Sequence, residues 1–291
     1  MSGAGSVGIV YNPRTPNSKL LVQQLAEKLG LGESSWIVPT SDSEDHVPPP
    51  STSLIITVGG DGTILWATQL AAPREIPILG VNLGRVGFMT ELRADEAVNR
   101  IGEYLDGQVW VEERSMLQAK VVSEGARDVE EKPLQALNDV VVGRSAISRL
   151  VHLEVRIDGS LLTTYRADAV IVATATGSTG YSISAGGPIL HPQSRDILLN
   201  PVAAHLGLSS ALVLPPDSVV EVALRSNYKA VLSVDGRVDL DLAPGETVEV
   251  NRGPYIARFL RAHPPNHFYS VLTERLSPDT RSSFPGATST T

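Results

Sequence analysis

A carboxylate set among glycines, at Gly59-Gly60-Asp61-Gly62-Thr63, is the first feature of this chain suited to chemistry. Glycines let a backbone turn sharply and come close to a ligand. A helix starting just beyond them would present free N–H groups and the positive end of its dipole, which suits phosphate. On that reading Gly59, Gly60, Gly62 and Thr63 form a phosphate-binding loop. Asp61 cuts across it, because a carboxylate repels phosphate unless it takes part in the reaction or meets a metal. It can accept the proton of an attacking hydroxyl, as phosphoryl transfer requires. The plainer alternative is a glycine-rich turn in which Asp61 caps the helix. The motif alone leaves both open.

A second segment, Thr174-Ala175-Thr176-Gly177-Ser178-Thr179-Gly180-Tyr181-Ser182-Ile183-Ser184-Ala185-Gly186-Gly187-Pro188, is dominated by hydroxyls and glycines. Many small donors on exposed backbone make a cradle for a polar ligand, and Tyr181 can stack on a base. A flexible linker is the other reading, but Tyr181, Ile183, Ile189 and Leu190 are not linker residues. Asn138-Asp139 places an amide beside a carboxylate, a pair able to bond the hydroxyls of a ribose; alone it reads equally as a turn. For both to reach one ribose, the backbone there must leave regular strand geometry, with a strand beginning just after the pair. Arg166-Ala167-Asp168 alone reads as a surface ion pair.

Other chemistries are excluded or weakened. The chain has no cysteine, which removes disulfides, thiolate metal sites and a thiol nucleophile. Its six histidines show no metal-ligand spacing and read as structural or solvated, so no metal site is expected from side chains. There is no G-x-x-x-x-G-K-[ST] loop. Gly3-Ala4-Gly5-Ser6-Val7-Gly8 matches G-x-G-x-x-G but precedes the first strand, where a dinucleotide fingerprint would follow one. A net charge of −8 argues against a nucleic-acid partner. No secretory signal is apparent at the N-terminus, no apolar run is long enough for a membrane helix, and a cytoplasmic location without membrane attachment is expected.

The elements that must carry these residues change character along the chain. Ser6–Tyr11, Leu54–Val58 and Ile76–Val81 read as buried strands. Asn17 and Ser18 offer a cap for a helix ending at Gly30, and a second helix from Ile64 stops before Pro73. Ser34–Pro50 reads as a loop. This strand–helix rhythm implies a parallel α/β layer over residues 1–92, completed by 265–276. A further helix spans Ala94–Leu105. After Glu112 the signals are mostly β: Met116–Val122, Ala136–Val142, Leu150–Ile157, Ala169–Ala173, Val219–Leu224, Ala230–Val234 and Thr247–Val250. The turn pairs Asp158-Gly159 and Asp235-Gly236 sit beside them. The expected fold is therefore an α/β N-terminal domain and a β-rich, sandwich-like domain over 93–264, with a disordered tail at 277–291.

Taken in order, these segments resemble the NAD kinase family. GGDGT is shared with diacylglycerol kinases and 6-phosphofructokinases. Thr174–Pro188 is far more specific and is similar to the family's T-x-TGSTAYSLSAGGP signature, with Ala175 where proline is usual and Gly180 where alanine is usual. Asn138-Asp139 matches the family's Asn-Glu/Asp pair, and Asn82-Leu83-Gly84-Arg85-Val86-Gly87-Phe88 is similar to its N-x-G-x-x-GF turn. The likeness runs from Gly8 to about Leu276. It implies a two-domain fold with NAD in the cleft between the domains, and phosphorylation of the adenosine 2′-hydroxyl of NAD to give NADP. Asp61 matches the catalytic aspartate proposed as general base, and Asp61 and Gly62 match nucleotide contacts. Asn138 and Asp139 match residues that hold the adenosine ribose. Arg149, Arg166 and Asp168 match further nucleotide contacts, from a neighbouring protomer or the same site. Thr179, Gly180, Tyr181, Ser182, Ile183 and Ser184 match the adenine-side pocket. The resemblance also implies ATP as donor with a divalent metal ion, normally Mg²⁺, use of polyphosphate or NADH by some members, and a homodimer or homotetramer. A lipid or sugar kinase would share only GGDGT. A non-catalytic dinucleotide sensor has little need of Asp61, and an oxidoreductase would place G-x-G-x-x-G after a strand.

Overall fold

The computed structural model describes residues 6–32, 35–42, 46–84, 87–105, 107, 109–123, 132–146, 149–205 and 208–276. Gly3–Gly5 of the discounted glycine motif, Arg85 and Val86 of the Asn82–Phe88 turn, and the Ser277–Thr291 tail lie outside them. The chain forms two compact units: Met1–Leu70, Ile76–Val111 and Phe259–Thr291 make one, and Ala71–Glu75 with Glu112–Arg258 the other.

The first unit is built on parallel strands. In chain order come β1 (Ser6–Tyr11), α1 (Ser18–Leu29), β2 (Trp36–Pro39), β3 (Thr52–Gly59), α2 (Asp61–Ala71), β4 (Ile78–Asn82), the short β5 (Leu92–Arg93) and α3 (Ala94–Leu105). Pairing runs β2-β1-β3-β4, with Val7 opposite Leu54 and Ile55 opposite Ile78. Leu54 to Gly59 is buried at every residue, as a strand covered on both faces must be. Ala97, Ile101 and Tyr104 recur at helical spacing and turn one stripe of α3 into a core that also holds Leu25, Ile56 and Leu79. Strand order reverses between β1 and β3, since β2 lies on one side of β1 and β3 and β4 on the other. Open α/β sheets bind ligands beyond the carboxyl ends of strands at such a reversal. The glycine-rich motif begins at the carboxyl end of β3.

The second unit is a β-sandwich. It holds most of β6 (Trp110–Val122), then β7 (Leu134–Ala136), β8 (Asp139–Arg144), β9 (Val151–Ile157), β10 (Ser160–Ala167), β11 (Ala169–Ala173), α4 (Tyr181–Ser184), β12 (Ile197–Val202), β13 (Leu212–Leu214), β14 (Val220–Leu224), β15 (Ala230–Val234), β16 (Val238–Leu242) and most of β17 (Thr247–Arg261). One antiparallel layer runs β10-β9-β14-β17, with β6 beside β17; the other runs β13-β12-β11-β8-β15-β16. Leu153, Tyr165 and Val222 of the first layer share a core with Val140, Val172 and Leu232 of the second. Along β8 the faces alternate: Val140 and Val142 point into that core, and Val141 packs with Ile171 and Leu198 on the other side. The last helix, α5 (His267–Leu276), belongs to the first unit.

Several expectations need correction. Ser34–Pro50 is not all loop, because Trp36–Pro39 pairs in parallel with β1. Trp36 lies over Gly8, where a Cβ would fall 2.1 Å from the indole ring, so this pairing needs glycine at that position. Asn17 sits before α1 at φ 63° and makes no capping bond with its side chain. The helix at 94–105 packs with the first unit, which extends to Val111, whereas a boundary near 92 was expected. Ala136–Val142 is two strands, broken at Leu137 and Asn138. Strands β10, β12, β13 and β16 were not anticipated. β10 is the return arm of a hairpin whose turn, Asp158-Gly159, has left-handed φ at both residues.

Candidate active site

In the first unit, the chemistry gathers where β3 meets α2. Gly60 and Gly62 are exposed with open space where a side chain would stand, while Gly59 is buried and a Cβ there would lie 2.1 Å from the Thr63 hydroxyl. That hydroxyl is buried and has no hydrogen-bond partner among the described residues. Asp61 is the first residue of α2, but its carboxylate turns away from the helix. Oδ2 accepts the Phe88 N–H at 3.0 Å and Oδ1 accepts the Met89 N–H at 3.2 Å. The helix-cap alternative therefore gives way to a carboxylate held by a neighbouring turn.

That turn is fixed from within. Asn82 Oδ1 accepts the Gly84 N–H at 3.0 Å, Thr90 Oγ1 accepts the Gly87 N–H at 3.1 Å, and the Glu91 N–H donates to the Gly80 carbonyl at 2.8 Å. A Cβ on Gly87 would stand 2.1 Å from Asp61 Oδ1, so the close approach requires glycine. The N-x-G-x-x-GF turn was matched in the sequence without any role; its task here is to hold Asp61.

In the second unit, a cavity of about 360 Å³ is lined by Asn138, Asp139, Val141, Tyr181, Ser233, Asp235 and Gly236. Its floor is the break between β7 and β8. There the Asp235 carboxylate accepts three successive backbone N–H groups, from Leu137 at 2.8 Å, Asn138 at 2.7 Å and Asp139 at 3.1 Å. Thr174 closes the other side, its N–H donating to the Asn138 carbonyl at 2.9 Å and its hydroxyl to the Leu137 carbonyl at 2.6 Å. Gly177 is needed because a Cβ there would meet the Asn138 carbonyl at 2.1 Å. With the backbone bent in this way, Asn138 and Asp139 face one cavity although they are adjacent. Burial, followed by the charge of Asp235, pushes the Asp139 carboxyl up to about 7 from the ordinary 3.8. Burial also raises Asp235, against its three N–H bonds.

The Thr174–Pro188 segment divides by role. Gly177–Thr179 is a 3-10 turn leading to the single turn of α4. Tyr181 is 45 % exposed on the cavity wall, and Gly180 lies beside Asp139 and the Asn138 amide. Ser182 is fully buried and bonded through its hydroxyl and carbonyl to Asn200, which is a structural position. Thr179, Ile183 and Ser184 are not among the residues lining the cavity.

Arg149, Arg166 and Asp168 are not among the residues lining the cavity. Asp139 opposite Ala173 marks one end of the β8–β11 pair, and Gly143 opposite Ala169 the other. Asp139 and Arg144 stand five positions apart along β8, roughly 16 Å. Asp168 pairs with Arg144 at 3.2 Å rather than with Arg166, which is exposed on β10. Arg149 is exposed and places its guanidinium 5.5 Å from the Tyr228 ring centre. Sequence reading also missed Asp235, which appeared only as half of an Asp-Gly turn signal. Among the described residues, no group of three or more His, Asp or Glu side chains is arranged to hold a metal ion. No described helix is long and apolar enough to cross a membrane.

A glycine-rich turn at the carboxyl end of a parallel strand, with one fixed carboxylate, and a β-sandwich whose cavity sets an amide and carboxylates among apolar surface fit a phosphotransferase acting on a nucleotide-like substrate. Residues 45–109 match the ATP-NAD kinase N-terminal domain and residues 137–262 the ATP-NAD kinase C-terminal domain. The chain belongs to the ATP-NAD kinase family. It is 41% identical over 272 residues to an NAD kinase of Dehalococcoides mccartyi, covering 93% of this chain and 95% of the relative. It is 42% identical over 273 residues to an NAD kinase of Chloroflexus aurantiacus, covering 93% and 98%. Among solved structures, yeast NADH kinase complexed with NADH superposes with a TM-score of 0.82 at 26% identity, over 99% of this chain and 91% of that one. An NAD kinase from Archaeoglobus fulgidus in complex with ATP shares the fold, with a TM-score of 0.72 at 24% identity, over 92% and 99%.

Proposed function

We propose that Asp61 is the general base with which this kinase transfers the γ-phosphoryl group of ATP to the adenosine 2′-hydroxyl of NAD. The observation that carries this reading is the placement of Asp61. Both carboxylate oxygens are oriented by backbone N–H groups, beside a turn whose Gly60 and Gly62 offer open backbone to phosphate. The hydroxyl proton passes to Asp61 as the 2′-oxygen bonds to the γ-phosphorus. The bond from that phosphorus to the β–γ bridging oxygen breaks, ADP leaves, and Asp61 returns the proton to solvent. The loop Gly59–Thr63 receives phosphates. Asn138 and Asp139 hold a ribose, Tyr181 stacks on a base, and Gly180 gives the ligand room beside them. In the same reading Thr179, Ser182, Ile183 and Ser184 shape the adenine side. Arg149, Arg166 and Asp168 serve the site of a neighbouring protomer in a homodimer or homotetramer, because none of them lines the cavity at Asp139.

Among the described residues no cluster of carboxylates and histidines forms a cage for a resident ion. A divalent cation, Mg²⁺ by the family resemblance, would be carried by the phosphates of the donor, as Mg²⁺ commonly is. Polyphosphate is a second donor to be tried against ATP. The test of the base is Asp61→Asn, which is isosteric. The expected result is a fall in kcat of roughly 10²–10⁴-fold, with the NAD dissociation constant, read by calorimetry, within a few-fold of the parent. A rate within a few-fold of the parent removes Asp61 from the proton transfer.

A further inference from the structure

The turn that holds Asp61 is itself held by a buried ionic network at the end of β17. Arg261 donates from Nη1 to the Met89 carbonyl at 2.9 Å and to Glu91 Oε2 at 3.2 Å. The Glu91 carboxylate is almost completely enclosed. Besides Arg261 it accepts the Ala262 N–H at 2.8 Å, the His263 N–H at 3.2 Å and the Tyr104 hydroxyl at 3.2 Å, and it lies 2.9 Å from His263 Nδ1. Burial acts to raise Glu91, but Arg261, the Ala262 and His263 N–H groups and the His263 ring together hold it below the usual glutamate range. Met89 thus meets two carboxylate systems within one residue. Its N–H goes to Asp61, and its carbonyl accepts from Arg261, which is fixed by Glu91.

We infer that Arg261 and Glu91 are positioning residues for the phosphoryl-transfer step: they clamp the Gly87–Glu91 turn so that the N–H groups of Phe88 and Met89 hold the Asp61 carboxylate in its reactive orientation. This rests on the reading of Asp61 given above. A carboxylate at the start of a helix, beside two exposed glycines, has little else to fix its rotamer, and a small displacement of a catalytic group costs heavily in rate. The bonds within the turn from Asn82 and Thr90 set its shape, and Arg261 and Glu91 anchor that shape to the end of β17. A guanidinium with donors in a planar fork can tie one carbonyl and one carboxylate at once; a lysine has a single ammonium for both. Burying such a pair contributes little net stability, so orientation is the gain that remains.

The test uses the full chain with Arg261→Lys, which keeps a cation for Glu91, and Arg261→Met, which removes the donors. The chain has three Met and four Phe, so selective ¹⁵N labelling of these residues leaves the Phe88 and Met89 amides in sparse spectra. Asp61→Asn sets the reference for losing the carboxylate. In both Arg261 variants the two amide signals are expected to move toward their Asp61→Asn positions, further in Met than in Lys. The value of kcat is expected to fall roughly ten- to a hundred-fold while KM for NAD stays within about three-fold, with Lys partly rescuing Met. Adding Arg261→Lys to Asp61→Asn is expected to cost nothing more, because the two act through one group. If Arg261→Met does not fold, Arg261→Lys carries the comparison alone. Unmoved amide signals in Arg261→Lys, or rate losses that multiply in the double variant, overturn the inference. The Asp61→Asn rate by itself decides the role of Asp61, so the two failures are told apart.

Discussion

Gly87 leaves no room for a side chain, since a Cβ there would stand 2.1 Å from Asp61 Oδ1. Gly87→Ala should therefore expel the carboxylate from its N–H pair while the strands around it stay intact. The expected outcome is a loss of kcat approaching that of Asp61→Asn, with a melting temperature within a few degrees of the parent. Parent-like turnover would show that the Asp61 orientation seen here is not the reactive one. Asp139 makes an opposite bargain. Its carboxyl is raised to about 7 from 3.8, so between those values the folded chain keeps a proton that the unfolded chain has lost. The unfolded state binds fewer protons there, and stability falls as pH rises through that window and is not regained above it. Asp139→Asn removes the buried charge. It should raise the melting temperature at pH 8 by a few degrees and flatten its fall between pH 4 and 7. A ribose hydroxyl donating to the ionised carboxylate favours the charged form, so NAD affinity of the parent should weaken as pH falls through about 7. Asp139→Ala should cost about 1.5–3 kcal/mol of NAD binding, or roughly ten- to a hundred-fold in dissociation constant. Calorimetric titration across pH checks both; unchanged affinity in Asp139→Ala would leave the pair as a turn only.

Among elements, the break between β7 and β8 depends on one side chain from the β15–β16 turn. Asp235 satisfies three successive N–H groups that no strand partner takes. Asp235→Ala should strand them and destabilise the protein by roughly 2–5 kcal/mol, read as a melting temperature lower by several degrees, whereas Asp235→Asn keeps an acceptor and should cost less. The sequence made part of this visible. Ser6–Tyr11, Ala94–Leu105, Ala169–Ala173 and Ala230–Val234 stand at the residues where apolar period and flanking turns put them. The strand at Trp36–Pro39 did not show, because a short run between polar residues and a proline carries no period, and its stability comes from pairing with β1. β12 and β13 likewise depend on pairing across longer connections, whereas β16 is the exposed outer arm of a hairpin with β15 and carries too few buried residues to show an apolar period. Within the candidate site, Asp61, Asn138 and Asp139 stood out because a carboxylate among glycines, or beside an amide, has few structural uses. Asp235, Glu91 and Arg261 did not, because Asp235 meets backbone groups, and Glu91 and Arg261 meet each other and backbone groups, roughly a hundred residues or more away, which no local pattern encodes.

At the scale of the whole molecule, Asp168 pairs with Arg144 at the far end of β8, roughly 16 Å along that strand from Asp139, and neither it nor Arg149 or Arg166 lines the cavity there. If these residues serve a neighbour, a homo-oligomer is required for full activity. Mixing an inactive Asp61→Asn chain with an inactive Arg166→Ala chain should then restore part of the rate, as hybrid sites regain an intact set. Light scattering after chromatography should give a mass of two or four chains of 31.0 kDa. A fully active monomer would assign those residues another task. The claim on which everything else stands is that this chain makes NADP. Purified protein should be given NAD, ATP and Mg²⁺, and the product read by ³¹P resonance and by an NADP-specific dehydrogenase. NADP with the new phosphate on the adenosine 2′-oxygen is expected, with one ADP per NADP, and almost none with Asp61→Asn. ADP without NADP, or a phosphate on any other oxygen, would contradict it.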